Sequence, residues 1–359
     1  MPDTIHFLDG AWRFLFDFGI NFSNIRLNLV KLGCRYVDFL YVMINSLIEC
    51  EKGEVILPSI RSIVLKKGIK IAVKRLKGME KLDIAQRRQR INEVAKRWSK
   101  LPENCKVQPI EIEGIYAEWI TNKHTAKDKV ILYLHGGAYG YCSADTHRSL
   151  AARIMAEAGV KVLLPEYRLA PEHPFPAATH DAIKIYRWLL DQGYQSANIL
   201  FAGDSAGGGL SVATTLLLLD RHEPLPAGVI CLSPWVDLTG SGESYIKNKD
   251  KDPYLNAEGA RAAALAYAGD TPLDDKLISP IFADFKGFPP LFIQVGSVEI
   301  LRSDAETLAQ KARQAGVKVE LKVWHGMWHV WQASSKLKES KQAVKEIGRF
   351  AQRVLKKAE

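Results

Sequence analysis

Residues 198–210 read NILFAGDSAGGGL: a short apolar run, a turn rich in glycine, and the start of a second apolar run. The first run has the length and bulk of a buried strand, and the second continues to residue 221, long enough for a helix. Gly203, Ser205 and Gly207 therefore form G-x-S-x-G at a junction between strand and helix. On such a junction the serine occupies a sharp turn whose flanking positions leave no room for a Cβ. The turn lifts Oγ above the sheet edge, and the following helix N-terminus favours negative charge that develops there. A tight turn with no chemical use is the competing reading, but the strand-turn-helix setting makes Ser205 the candidate nucleophile.

Outward from this point the grammar is regular. After Pro102, residues 107–120 read as a hairpin, and KVILYL, VKVLLPEYR, NILFAG, GVICLS, LFIQVG and VKVELKVW read as strands. Helical stretches at residues 146–158, 177–192, 207–221 and 303–316, with one closing the chain, separate most of them, and residues 241–280 read as a looser segment. Alternation of this kind implies a mostly parallel, doubly wound α/β sheet covered on both faces. Residues 1–100 read instead as helical, with Pro2 and Pro58 their only prolines. Within them residues 60–76 are amphipathic, Leu65, Ile69, Ala72, Val73 and Leu76 opposing Lys66, Lys67, Lys70, Lys74 and Lys77.

The charge is just as uneven. Residues 1–100 carry 19 Lys and Arg against 10 Asp and Glu, and the other 259 carry 30 against 30. The net +9 thus belongs to the N-terminal segment, which argues against a nucleic-acid-binding core and leaves open a peripheral membrane contact through that segment. Five scattered cysteines form no CxxC pair, as expected of reduced thiols in a cytoplasmic protein without a structural zinc. The chain opens without a signal-peptide pattern, and the apolar run at residues 36–48 is too short to span a bilayer.

A serine at neutral pH needs a base, an acid to orient that base, and donors for the oxyanion. LYLHGGAYG, residues 132–140, follows a strand, and Gly136 and Gly137 offer unobstructed N–H groups, joined by that of Ala206. His135 reads as a structural brace of that loop. For the acid, Glu299 lies directly after the strand ending at Gly296, whereas Asp304, the alternative, falls within a helix. For the base, His329 is carried four residues beyond His325, which stays at the strand mouth, so the loop favours His329.

HGGAYG, YRLAPEHPFPAA, GDSAGGG, LSPWVDLTGSGESY, FPPLFIQVGSVEIL and WHGMWHVWQ, in this order, resemble the hormone-sensitive-lipase group of α/β-hydrolase carboxylesterases. The likeness runs from about residue 105 to the end, with weaker, cap-like similarity back to about residue 55. It is closest to the bacterial branch whose acid is Glu in GS-x-E-[IV]-L and whose histidine lies in M-x-H-V, which supports Glu299 and His329. Two departures stand out: HGGA replaces HGGG, and Val298 stands where relatives often have Asp.

The resemblance implies an α/β-hydrolase fold at residues 105–359 and a helical cap segment at 53–104; it does not reach residues 1–52, which stay an unassigned helical extension. It implies a serine carboxylesterase acting on short- to medium-chain esters through an acyl-enzyme, without metal or organic cofactor. Tyr139 and Tyr141 are candidate walls of the substrate pocket, while YRLAPEHPFPAA, Trp235 and Asp237 read as architectural. A lactonase or amidase with the same triad is the alternative enzyme, and a non-catalytic receptor on this scaffold the alternative of another class. The expected partner is a small-molecule ester; a homodimer is left open.

Overall fold

Eight segments become strands of one sheet among the described residues, which in this computed structural model are 58–75, 82–98 and 100–355. The expected extension at residues 1–52, the first part of the cap segment, Cys34 and Cys50 lie outside them. Strands β1 (Lys106–Ile112), β2 (Ile115–Thr121), β3 (Ala126–Leu134), β4 (Val160–Pro165), β5 (Ile199–Asp204), β6 (Gly228–Leu232), β7 (Leu291–Gly296) and β8 (Val319–Trp324) adopt the order β1-β2-β4-β3-β5-β6-β7-β8. The β1–β2 hairpin is antiparallel, as is β2 to β4, and every pair from β4 to β8 is parallel. The expected mostly parallel, doubly wound sheet is thus the one observed.

Every residue of β5, β6 and β7 is buried, which a parallel sheet covered on both faces requires. Alternate side chains serve the two faces. Leu132, Leu134, Phe201, Val229 and Cys231 join the apolar core under helices α4 (Ala177–Asp191), α5 (Ala206–Asp220) and α8 (Arg302–Gln314). Ile131, Tyr133, Leu200, Ala202 and Ile230 join the core under α3 (Ala144–Ala158) and α9 (Lys338–Leu355). Each fully buried aliphatic or phenyl side chain contributes about 1.5–3 kcal/mol relative to exposure. A parallel sheet also brings the C-terminal ends of β3, β5, β6, β7 and β8 to one edge, where the loops with the candidate residues begin.

Two expectations are corrected. Residues 241–280 are not loose throughout: they hold α6 (Ser244–Lys247) and α7 (Ala257–Ala268). The α7 sequence AEGARAAALAYA is rich in the strongest helix former, and the Asn256 side chain caps it by accepting from Gly259 N at 2.8 Å. The remaining α-helices among the described residues are α1 (Ile60–Arg75) and α2 (Ile84–Trp98). On α1 one residue of the expected apolar face departs from it: Leu65 is 37% exposed, while Ser62 is buried and bonded to Ser59 O at 2.7 Å. Ile69 packs against the cluster of Trp324, Met327, Trp328 and Trp331, so the rotation of α1 follows that cluster. No helix among the described residues is long and apolar enough to cross a membrane.

Candidate active site

β5 ends at Asp204 and α5 begins at Ala206, so Ser205 alone makes the turn, at φ 52° and ψ −123°. A non-glycine residue held there costs about 1–3 kcal/mol and needs a surround that fixes it. Here Ser205 N donates to Leu232 O at 2.8 Å, and its carbonyl accepts from Gly209 N and Trp235 N at 3.1 and 2.9 Å. A Cβ at Gly207 would stand 2.0 Å from Leu134 O and 2.5 Å from His135 O, so only glycine lets α5 start against the end of β3.

Above this turn Ser205 Oγ lies 2.9 Å from His329 Nε2, and His329 Nδ1 lies 2.9 Å from Glu299 Oε2. The second Glu299 oxygen accepts from Ser233 Oγ at 2.8 Å and from Gly296 N at 2.5 Å. Ser233 Oγ also accepts from Val330 N at 3.2 Å, joining the acid's loop to the loop of the histidine. Burial pushes the Glu299 carboxyl upward, opposed by its donors. Burial also works against the His329 imidazolium, but the hydrogen bond and charge of Glu299 outweigh it and hold the imidazole above its ordinary value. His325 lies half-buried just beyond β8.

Asp304 is elsewhere. It sits in the first turn of α8, where Oδ2 accepts from Val236 N and Asp237 N at 3.1 and 2.9 Å, and Oδ1 meets no donor among the described residues. Burial, then the charge of Asp237, raises its carboxyl well above the usual range. Its geometry is that of a brace for the loop after β6.

The glycine loop differs from expectation at Gly136. Gly136 N donates to Asp204 Oδ1 at 3.1 Å, so this N–H is committed to the fold and is withdrawn as an oxyanion donor. A Cβ on Gly136 would meet Asp204 Oδ2 at 2.3 Å, so glycine here serves the approach of a carboxylate. The N–H groups of Gly137, Ala138 and Ala206 donate to no acceptor among the described residues. Tyr139 also departs from expectation: its buried ring stacks on Tyr267 with centroids 3.6 Å apart, which is core packing and not a pocket wall. Tyr141 is half-buried at the end of the same loop.

Asp204 anchors a buried polar group that the sequence did not reveal. It accepts from Tyr133 Oη at 2.7 Å and pairs with His147 Nε2 at 3.1 Å. Burial works against both charges, yet His147 holds the Asp204 carboxyl below its ordinary value and Asp204 holds the His147 imidazole above its own. Beside them burial, then the neighbouring His147, lowers His135 to about 4, and His135 Nδ1 lies 2.7 Å from Gly136 O. The expected bracing role of His135 thus has its hydrogen bond. Asp204 is in plain view inside GDSAG, whereas His147 and Ser233 follow no periodicity that marks them.

The α/β hydrolase fold family model matches residues 131–333, more than half of the chain. An acetyl-hydrolase of Streptomyces hygroscopicus is 42% identical over 236 residues, 65% of this chain and 78% of that protein. An esterase of Acinetobacter venetianus is 38% identical over 254 residues, 70% of this chain and 84% of its own length. The crystal structure of an esterase from the bacterial hormone-sensitive lipase family aligns with a TM-score of 0.77 at 39% identity, covering 81% of this chain and 98% of that one. With sheet order, serine turn and these likenesses in agreement, the chain belongs to the α/β-hydrolase fold family, as a carboxylic-ester hydrolase of its hormone-sensitive-lipase branch.

Proposed function

We propose that the enzyme cleaves short- to medium-chain esters through an acyl-enzyme, with Ser205 as nucleophile, His329 as general base and Glu299 orienting the imidazole. The observation that carries the reading is the continuous run from Ser205 Oγ through His329 to Glu299, with 2.9 Å at each link. Ser205 Oγ attacks the ester carbonyl carbon while His329 Nε2 takes its proton. The oxyanion that forms is held by the N–H groups of Gly137, Ala138 and Ala206, at the positive end of α5. As the tetrahedral intermediate collapses, His329 returns the proton to the leaving alcohol. Water, deprotonated by the same imidazole, then releases the acid.

The chain-length preference rests on the likeness to an acetyl-hydrolase, a name that points to a short acyl group. With a series of p-nitrophenyl esters from acetate to palmitate, and Ser205→Ala as blank, kcat/KM should peak at butyrate or hexanoate. A peak at palmitate overturns the short-chain reading. The cytoplasm is the proposed location, on the ground that Cys105, Cys142 and Cys231 are free thiols.

For the acid, Glu299→Gln is expected to remove most activity, because the imidazole loses both its countercharge and its tautomer. Asp304→Asn should retain most of it, since an amide oxygen still accepts from Val236 N and Asp237 N. Asp304→Ala should instead destabilise the fold by about 1–3 kcal/mol for each N–H left unpaired. Steady-state rates and denaturant midpoints separate these cases, and a folded Asp304→Asn less active than Glu299→Gln overturns the choice of acid.

A further inference from the structure

The strongly polar helix α2 is tied to the α/β body along one face, where Arg88, Asn92 and Lys96 recur at every fourth residue. Asn92 Oδ1 accepts from Ser143 Oγ at 2.9 Å, and Lys96 pairs with Asp145 at 2.9 Å. Arg88 reaches furthest. Its Nε donates to Gly140 O at 2.8 Å, its Nη2 to Ala170 O at 2.7 Å, and Nη1 and Nη2 to the Glu172 carboxylate at 2.9 and 2.8 Å.

Gly140 belongs to the loop that carries Gly137 and Ala138, and this loop is strained. Ala138, Tyr139 and Cys142 take φ values of 53°, 57° and 68°. Conformations of that kind, at about 1–3 kcal/mol each, persist only where the surroundings over-determine them. Tyr139 O accepts from Ala170 N at 2.9 Å, so the guanidinium spans both segments of this pairing, with Glu172 as countercharge. A planar fork can serve two carbonyls and a carboxylate at once, which an ammonium cannot do with the same geometry.

We infer that Arg88 is a positioning residue that holds the oxyanion loop in register with Ser205, so that α2, outside the sheet, sets how tightly the transition state is held. The inference rests on the proposed roles of Gly137 and Ala138. It is tested with Arg88→Ala, Arg88→Lys and Lys96→Met, each titrated with a fluorophosphonate and checked for its melting temperature. On p-nitrophenyl butyrate, Arg88→Ala should lower kcat on the order of 10- to 100-fold, the scale of a misplaced catalytic group. KM should stay within about twofold, because the weakened interaction is one made only in the transition state.

Affinity for an alkyl trifluoromethyl ketone, which forms a tetrahedral oxyanion on the serine, should fall by the same factor as kcat/KM. Arg88→Lys should recover little, and added guanidinium should restore part of the Arg88→Ala rate. Lys96→Met, which removes only a solvent-exposed ion pair, should leave kcat and ketone affinity unchanged. If Arg88→Ala does not fold, Arg88→Lys carries the same comparison. Unchanged ketone affinity in a folded Arg88 variant overturns the inference, and so does a Lys96→Met loss equal to that of Arg88→Ala. Failure of the underlying oxyanion reading would show separately, as wild-type protein binding the trifluoromethyl ketone no better than the plain ketone.

Discussion

Ser205→Ala is expected to lose about a million-fold in kcat, the scale seen when the nucleophile of a serine hydrolase is removed. Labelling by a fluorophosphonate should vanish with it. The fold should not suffer. Alanine and serine meet the same steric cost at φ 52°, and the backbone bonds to Leu232, Gly209 and Trp235 do not involve Oγ. The hydrogen bond that Oγ makes is to His329, and on the proposed mechanism that bond serves the chemistry, not the fold. Circular dichroism and the melting temperature should therefore match wild type while p-nitrophenyl butyrate goes unhydrolysed. A well-folded variant that still takes the label would mean that another residue is the nucleophile.

The second large effect separates the two histidines of VWHGMWHV, residues 323–330. His329→Ala should abolish turnover, whereas His325→Ala should slow it several-fold at most by loosening the loop. The pH profile adds a check that folding cannot imitate. The neutral imidazole is the form that accepts the Ser205 proton, so kcat/KM should rise with pH through the His329 pKa. Burial alone would lower that pKa, but the hydrogen bond and charge of Glu299 raise it above 6.5, so the midpoint of the rise should lie on the alkaline side of 6.5. The rise should persist in His325→Ala. An inactive His325→Ala beside an active His329→Ala reverses the assignment.

Much of the fold is legible in the sequence because its signals are local. The apolar runs of β5, β6 and β7 lie buried at every residue, and a run of that kind is visible without knowing its neighbours. The α7 helix has local signals too, in Asn256 and the alanines after it, but its segment lacks an obvious apolar face, so periodicity alone passes over it. Leu65 escapes for a different reason. Helical periodicity states which residues share a face, but the rotation of α1 depends on where Ile69 meets the tryptophan cluster, and that cluster is more than 250 residues away in sequence.

The sequence by itself determined where the serine turn falls and which strand-end loops carry the candidate base and acid. Both follow from short-range rules: a strand that ends on small residues before a helix, and a parallel sheet whose strand ends share one edge. What only the tertiary structure decided is the direction of individual polar groups. Whether the Gly136 N–H faces substrate or fold depends on Asp204, 68 residues later, and the Gly140 carbonyl is held by Arg88, 52 residues earlier. Ser233 meets Glu299 across 66 residues. Hydrogen bonds between distant segments need no periodicity and leave none, so they become visible only when the sheet has brought those segments to its edge.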